Sequence, residues 1–381
     1  MDVKLYKVYD SRTNETVLAL ADGIKAQAPA GKSVGTYEVV VAPDGIDKAI
    51  QFAKKKVLPK IDFGINQKDF DNELEELCGE NFSKSGSGVS LSLSILNLKL
   101  LAHNKGKQVY ELYNKNPKKE DFPTIFANTI GGGLHSANKI PIQEILGISK
   151  NKDFIGKLES NIQFYKNVEK YLKDKKIFFG KNDEGAYSFK VNYKKALDIA
   201  KVTMPTNFSV GVDMAANSYF KNGKYVFGNS KYSERKYFDL VSKIIEKYNL
   251  FYIEDPFNED SFDLFSELTA KYGKDRIICG DDLFVTNESR LKEGIKNKSA
   301  NGIIIKPNQI GCITKTKKVV DLAIKSGIKP VISHRSGETT DTIISQLDLG
   351  WKIPYIKESL KGGERISKIN ELVMLYNDLY E

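Results

Sequence analysis

The stretch FSVGVD at positions 208–213 is a short apolar run that ends in an acid, and similar runs follow it five more times. The later runs are LFYIED (250–255), RIICGDD (276–282), NGIIIKPN (301–308), KPVISHR (329–335) and WKIPYIK (351–357). Their polar ends are 22 to 41 residues apart, which is about the length of one strand and one helix with their loops. This repeat predicts parallel strands that alternate with helices in a barrel.

The polar ends of these runs are candidate site residues, because all carboxyl ends of parallel barrel strands lie on one face and that face holds the active site. Asp213, Glu254 and Asp281 would form a hard oxygen site of the kind that magnesium prefers. A network of ion pairs at the barrel mouth is the alternative. Zinc is not expected, since there is no cysteine motif and the histidines lack ligand spacing.

Two lysines end the later runs. Lys306 follows three isoleucines and is a candidate general base, whose pKa burial and a nearby cation would lower. The alternative is a lysine paired with one of the acids. Lys357 would hold a carboxylate or a phosphate, unless it is a solvated strand end.

Other polar motifs are weaker signals when taken one at a time. Arg335 and Ser336 lie in SHRSGETTDT, a loop that opens a helix, where they would suit an anion unless Ser333 or Ser336 simply caps that helix. Glu184 lies in the glycine loop KNDEGAYSF, and Glu144 is expected to end a strand in IPIQEILGI.

The first part of the chain has a different pattern. Residues 4–31 alternate apolar and polar side chains, as half-buried antiparallel strands do, and helical spacing follows from about residue 45 to 112. The polar, proline-bearing stretch NKNPKKEDFP (114–123) is a linker. We therefore expect an α+β domain over residues 1–118 and the barrel domain over residues 119–381.

The composition is that of a folded chain without special targeting. Of 381 residues, 41% are hydrophobic and 28% are charged, and no apolar stretch approaches the length of a membrane span. The N-terminus lacks the apolar segment of a signal peptide, and three isolated cysteines favour a reducing compartment, hence the cytoplasm. The net charge of +9 comes from scattered lysines, so no nucleic-acid partner is expected.

Taken together, these segments resemble the enolase family of phosphopyruvate hydratases. The resemblance extends along the whole chain in family order, and its motifs are VYDSRTNETV, PAGKSVG, GGLHS, IQE, DEG, GVDMAANSYF, YIEDPFNED, GDDLFVTN, IKPNQIG, SHRSGETTDT and YIK. It implies an N-terminal α+β domain that caps an enolase-type barrel of ββαα(βα)₆ order.

The resemblance also implies roles for residues. Lys306 resembles the base that removes the C2 proton of 2-phosphoglycerate, and Glu184 resembles the acid that protonates the leaving 3-hydroxyl. Two Mg²⁺ ions are implied, the first on Asp213, Glu254 and Asp281 and the second, which binds with substrate, on Ser33 of a mobile lid loop. The implied substrate-binding residues are His135, Gln143, Glu144, Ser333, His334, Arg335, Ser336 and Lys357.

Three places depart from the usual family pattern: Lys32 and Val34 in the lid loop, Ala186 after DEG, and Glu358 with Ser359 after Lys357. These departures leave two alternatives to the dehydration of 2-phosphoglycerate to phosphoenolpyruvate. One is a related acid dehydratase with another substrate, and the other is a non-catalytic binding or scaffold protein. The resemblance further implies a homodimer or a larger homo-oligomer.

Overall fold

The structure, a computed structural model, describes residues 1–31, 37–136 and 140–380, except for the side chain of His135. The chain begins with three strands that form an antiparallel sheet: β1 (Lys4–Tyr9), β2 (Glu15–Ala21) and β3 (Ile24–Gln27). Two helices pack on this sheet: α1 (Ile46–Phe52), which continues as a π-helical turn, and α3 (Gly86–Asn104). A third helix, α2 (Gln67–Cys78), packs against α3.

Helix α3 is buried on almost every side, as its apolar sequence predicts. Two of its serines donate to backbone carbonyl groups: Ser92 Oγ donates to Val17 O at 3.0 Å, and Ser90 Oγ donates to Gly311 O at 2.8 Å. The first bond joins α3 to the N-terminal sheet, and the second joins it to the C-terminal part of the chain. The helix therefore couples the two parts.

The remaining strands and helices build the C-terminal part. Its strands are β4 (Thr124–Gly131), β5 (Glu144–Ser149), β6 (Phe179–Lys181), β7 (Tyr187–Phe189), β8 (Phe208–Asp213), β9 (Phe220–Lys221), β10 (Lys224–Phe227), β11 (Ser230–Ser233), β12 (Tyr252–Glu254), β13 (Ile277–Gly280), β14 (Gly302–Ile305), β15 (Lys329–Ser333) and β16 (Tyr355–Glu358). Its helices are α4 (Phe154–Asp174), α5 (Tyr193–Thr203), α6 (Glu234–Tyr248), α7 (Phe262–Tyr272), α8 (Glu288–Asn297), α9 (Pro307–Ile310), α10 (Ile313–Lys325), α11 (Ile343–Trp351) and α12 (Gly363–Tyr380).

Eight of these strands close a barrel in the order β4-β5-β8-β12-β13-β14-β15-β16, with β16 paired to β4. Strand β5 is antiparallel to both of its neighbours, and the other pairs are parallel. With two helices after β5 and a helix after each later barrel strand, the order is ββαα(βα)₆. The predicted barrel is confirmed.

The antiparallel direction of β5 corrects one expectation. Glu144 begins this strand instead of ending it, and its registered partner is Asp213, the last residue of β8. Because the two strands run in opposite directions, the start of β5 and the end of β8 lie at the same end of the barrel. Glu144 therefore joins the predicted site from the opposite end of its strand.

The interior of the barrel is filled with large side chains below that end. They include Phe126, Leu146, Tyr252, Ile304 and Val331, all buried. Two further groups of strands lie outside the barrel. The hairpin β6–β7 extends the sheet beside β4, and strands β9, β10 and β11 form a separate three-stranded sheet. Across the described ranges, no helix has both the length and the apolar character that a membrane span requires.

Candidate active site

A cavity of about 200 Å³ opens at the carboxyl end of the barrel. The predicted residues that line it are Gln143, Glu144, Glu184, Asp213, Asp281, Lys306, Ser333, His334, Arg335, Ser336 and Lys357. Glu254 does not line the cavity and is fully buried. Ser33 lies outside the described residues, as does the side chain of His135. The strand ends therefore bring together residues that are far apart in sequence.

Lys357 lies among three buried carboxylates. Its Nζ atom donates to Asp213 Oδ2 at 2.9 Å and to both oxygens of Glu254 at 2.8 Å, and it lies 3.0 Å from Glu144 Oε2. Burial alone would lower the pKa of this ammonium group, but the charges of Asp213 and Glu144 outweigh burial and raise it well above its usual value. Lys357 is therefore a fixed cation and not a solvated strand end.

Lys306 forms an ion pair with Asp281, whose other oxygen accepts from Gln309 Nε2 at 3.2 Å. Burial alone would lower the pKa of Lys306, but the charge of Asp281 outweighs it and raises the pKa. This direction is opposite to the lowering expected from the sequence, because a carboxylate is the nearest charge. In turn, Lys306 outweighs the effect of burial on Asp281, and the pKa of that carboxyl group is lowered.

Other acids at this end have raised pKa values. Burial and the charge of Asp213 raise the pKa of Glu254 to about 8. Burial and the charge of Asp281 raise the pKa of Asp282 to about 7. Asp255 accepts the backbone N–H groups of Asp281 at 3.0 Å and of Asp282 at 2.7 Å, and burial raises its pKa well above the usual range. The buried acids here thus lack sufficient cationic partners.

This donor set fits a divalent cation chemically. Asp213 and Glu254 are registered partners at the ends of β8 and β12, and Asp281 follows the next strand, β13. Carboxylate oxygens in this excess are what Mg²⁺ takes as ligands. Among the described residues, two groups have ligand atoms within 4.8 Å of one another, and neither is the predicted trio: Glu144, Glu184 and His334, and Asp255, Asp281 and Asp282.

The predicted trio is held apart by the lysines. Asp213 and Glu254 turn to Lys357, whereas Asp281 turns to Lys306. The ion pairs left open as the alternative are therefore present. They do not exclude a metal ion, because a cation and an ammonium group can compete for the same oxygens. The metal role of the three acids stays a prediction.

Glu184 reaches the cavity from the turn between β6 and β7. Its Oε2 atom accepts from Asn128 Nδ2 at 3.1 Å, on barrel strand β4. The turn is closed by Asn182 Oδ1, which accepts the backbone N–H groups of Glu184 at 3.1 Å and Ala186 at 2.9 Å. Gly185 has a φ of 78°, a left-handed conformation that suits glycine. The acid therefore lies on a fixed turn beside the barrel.

Arg335 crosses from the barrel to the N-terminal part of the chain. Its Nη2 atom donates to Glu38 Oε2 at 3.1 Å, and its Nη1 atom donates to Asn308 Oδ1 at 3.3 Å. Arg335 and Ser336 do not open a helix, since α11 begins only at Ile343. The expectation of a helix N-terminus beside them was wrong, because SGETTDT forms an extended loop that pairs Gly337 with Ala30.

Two departures from the family pattern lie behind the cavity wall and not in it. Ala186 is buried, and its backbone is not in the left-handed region, so its methyl group imposes no conformational strain. Glu358 is fully buried and does not line the cavity; it contacts His334 instead. The third departure, at Lys32 and Val34, lies outside the described residues.

Sequence reasoning missed several residues of this site. Glu38 and Gln309 line the cavity, Asp255 holds the two backbone N–H groups after β13, and Arg365 reaches the site from α12. Asp255 and Gln309 stand next to motifs that were noticed, in YIED and IKPNQ, so their position was a usable signal. Nothing in the local sequence marks Glu38 or Arg365.

The capped barrel, with its charged cavity at the carboxyl ends of the strands, has the architecture of a barrel enzyme. Two family models match the chain: "Enolase, N-terminal domain" over residues 1–113 and "Enolase, C-terminal TIM barrel domain" over residues 119–381. The chain belongs to the enolase family and is therefore an enzyme of the lyase class.

Full-length relatives agree with this assignment. The enolase of Methanosphaera stadtmanae is 38% identical over 99% of this chain and 97% of its own length. The enolase of Picrophilus torridus is 36% identical over 99% of this chain and 98% of its own length. The enolase of Natronomonas pharaonis is 36% identical over 98% of both chains.

Proposed function

We propose that this chain catalyses the Mg²⁺-dependent dehydration of 2-phosphoglycerate to phosphoenolpyruvate, and the reverse reaction, as a step of glycolysis and gluconeogenesis. The observation that carries the proposal is one cavity that holds a half-buried amine, Lys306, and a buried carboxyl group, Glu184, as a candidate base and acid. Lys306 follows β14, whereas Glu184 lies beside β4, three strands further around the barrel. A substrate between them would meet the base and the acid from different sides.

The reaction needs strong charge stabilisation. A proton next to a carboxylate is very weakly acidic, and its removal adds a second negative charge to that carboxylate. Lys357, an ammonium group held in place by three carboxylates, is positioned to face this charge. Mg²⁺ bound by Asp213, Glu254 and Asp281, with Ser33 for a second ion, would neutralise the developing charge.

Lys306 and Glu184 divide the proton transfers. Lys306 must release Asp281 and lose its proton before its amine can take the C2 proton of the substrate. Glu184 must carry a proton that it gives to the 3-oxygen as the C3–O bond breaks, so that water leaves. The electron pair of the C2–H bond becomes the new double bond.

The remaining wall residues would bind the anionic ends of the substrate. Arg335 offers a guanidinium group, and Ser336 a hydroxyl group, for the phosphate. The other proposed substrate contacts are His135, Gln143, Glu144, Ser333, His334 and Lys357.

An assay with two substitutions tests this proposal. Purified protein should convert 2-phosphoglycerate to phosphoenolpyruvate with Mg²⁺ and should stop when a chelator is added. Lys306→Ala should lower kcat/KM by about 10²- to 10⁴-fold, the usual contribution of a general base. Lys329→Ala is the matched control, because Lys329 is exposed at the opposite end of barrel strand β15 and should leave turnover unchanged.

The alternatives give different results in this assay. Metal binding by folded protein without turnover of 2-phosphoglycerate would favour an acid dehydratase with another substrate. Neither metal binding nor turnover would favour a binding or scaffold protein. We further propose a cytoplasmic homodimer, which light scattering would show as about twice the mass of one chain.

A further inference from the structure

Glu358, one of the residues that depart from the family pattern, makes a short contact with a cavity residue. It ends β16 and is fully buried, and its Oε1 atom lies 2.5 Å from His334 Nδ1, just after the end of β15. The same oxygen accepts the backbone N–H group of Ser359 at 3.0 Å. The carboxylate is therefore fixed by its own backbone and directed at the imidazole ring.

A second group competes for the same ring nitrogen. Arg365 Nη1 lies 2.7 Å from His334 Nδ1 and also 3.0 Å from Arg335 O. A guanidinium group can only donate, and a carboxylate can only accept. A protonated Nδ1 atom of His334 donates to Glu358, and an unprotonated Nδ1 atom accepts from Arg365. The same nitrogen cannot do both.

The geometry favours the bond to Glu358. A proton on Nδ1 makes this 2.5 Å contact a hydrogen bond, whereas an unprotonated Nδ1 would set its lone pair against those of the carboxylate oxygen. Arg365 keeps other acceptors, since its Nη1 and Nη2 atoms donate to Arg335 O and Ser336 O at 3.0 Å each. Removing the proton from Nδ1 would leave Glu358 without its side-chain donor among the described residues.

The other ring nitrogen, Nε2, is the one available to a group in the cavity. His334 lines the cavity wall, and its buried Nε2 atom has no hydrogen-bond partner among the described residues. A ring nitrogen of His334 lies within 4.8 Å of carboxylate oxygens of Glu144 and Glu184. Because Nδ1 is occupied by Glu358, Nε2 is the nitrogen that remains for the cavity.

We propose that Glu358 is a positioning residue that holds the neutral His334 ring with its proton on Nδ1, so that Nε2 is a hydrogen-bond acceptor toward Glu184. This inference rests on the proposed function where it concerns Glu184. An acid that gives a proton needs an acceptor for its O–H group before substrate arrives, and Nε2 supplies one. With the proton on Nε2 instead, the ring could only donate to this carboxyl group.

The tautomer can be measured without turnover. The chain has three histidines, so nitrogen-15 NMR of histidine-labelled protein can resolve the two ring nitrogens of His334. Wild-type His334 should carry its proton on Nδ1, with Nε2 unprotonated. Glu358→Ala should move the proton to Nε2, because Arg365 then becomes the only hydrogen-bond partner of Nδ1 among the described residues and donates to it.

Two further variants make the test specific. Glu358→Gln keeps an acceptor oxygen and should restore the Nδ1–H form. Asp348→Ala is the matched control, because Asp348 is also a fully buried carboxyl group, on α11, and its oxygens have no hydrogen-bond partner among the described residues. Asp348→Ala should leave the tautomer unchanged. A wild-type ring protonated on Nε2, or a tautomer that Glu358→Ala leaves unchanged, would overturn the proposal.

Turnover adds a separate measurement. Glu358→Ala should lower kcat about tenfold or more while KM changes little, and Glu358→Gln should recover most of the loss. Equal losses in the two variants would contradict the positioning role. If the wild-type tautomer is as expected but wild-type protein does not turn over 2-phosphoglycerate, the proposed function fails and the placement of His334 by Glu358 stands.

Discussion

Lys357 has three carboxylate neighbours, and this imbalance governs the chemistry of the site. One ammonium group contacts Glu144, Asp213 and Glu254, so negative charge remains in excess within a buried region. Burial and this excess raise the pKa of Glu254 to about 8. Protons and metal cations should therefore compete for the same oxygens.

This competition predicts how stability depends on pH. In the metal-free native protein burial and the charge of Asp213 raise the pKa of Glu254 to about 8, whereas in the unfolded chain its pKa is near the usual value of about 4.3. The unfolded state thus binds fewer protons between these values, and the free energy of unfolding should fall as pH rises through this window. Thermal unfolding of metal-free protein between about pH 5 and pH 8 measures the trend.

Magnesium should counteract this fall in stability at higher pH. Saturating Mg²⁺ should raise Tm more at pH 8 than at pH 5.5. The ion binds ionised carboxylates, and fewer of these groups are protonated at the higher pH. Sodium chloride at equal ionic strength is the control for screening. An equal rise in Tm at both pH values would contradict a role of these acids as metal ligands.

At the scale of the elements, the loop after β15 connects the two parts of the chain. Gly337 pairs with Ala30 through two backbone hydrogen bonds of 2.8 and 2.9 Å, and this loop carries Arg335 and Ser336. A side chain at Gly337 would collide with the Asp10 carboxylate and would lie 2.8 Å from Ala30 O. Asp10 cannot easily yield, since its Oδ1 atom accepts two backbone N–H groups.

Gly337→Ala should therefore disturb the site through its loop. We expect a loss of about 1–3 kcal/mol of stability, the usual cost of forcing a group into a packed region, and a higher KM because Arg335 moves. Gly180→Ala is the control, since nothing lies within 4 Å of an added Cβ there and its φ is not positive. Urea unfolding and steady-state kinetics measure both effects; unchanged KM in Gly337→Ala would show that the loop does not position Arg335.

The strand ends were predictable from the sequence because parallel strands leave a simple signal. Each apolar run in 208–357 became a barrel strand, and Asp213, Asp281, Lys306 and Lys357 all line or border one cavity. Contacts between side chains that are far apart in sequence were not predictable in this way. The bond between Arg335 and Glu38 joins residues 297 apart, and the contact of His334 with Glu358 depends on the register of β15 and β16.

At the scale of the whole molecule, the N-terminal part completes the cavity. Gly31 and Glu38 line it together with the barrel residues. Two further bonds join the parts: Lys99 Nζ donates to Asp341 at 2.8 Å, and the backbone N–H group of Thr314 donates to Asp71 Oδ2 at 2.8 Å. We propose domains over residues 1–118 and 119–381 that depend on each other.

This dependence predicts a single unfolding transition. The one tryptophan, Trp351, lies on α11 and packs against Tyr113 of the N-terminal part, so its fluorescence reports the contact between the two parts, whereas far-ultraviolet circular dichroism reports the helices and strands of both. The two signals should change at the same urea concentration. Two separate midpoints would contradict the coupling of the domains.

The most direct test of the account is exchange of the C2 proton of 2-phosphoglycerate with deuterium oxide, followed by NMR together with formation of phosphoenolpyruvate. Wild-type protein with Mg²⁺ should show both exchange and product. Lys306→Ala should lose both exchange at C2 and formation of phosphoenolpyruvate. Glu184→Gln should form phosphoenolpyruvate about 10²-fold or more slowly while exchange at C2 continues. Exchange that persists in Lys306→Ala would contradict the assignment of the base and, with it, the account of the site.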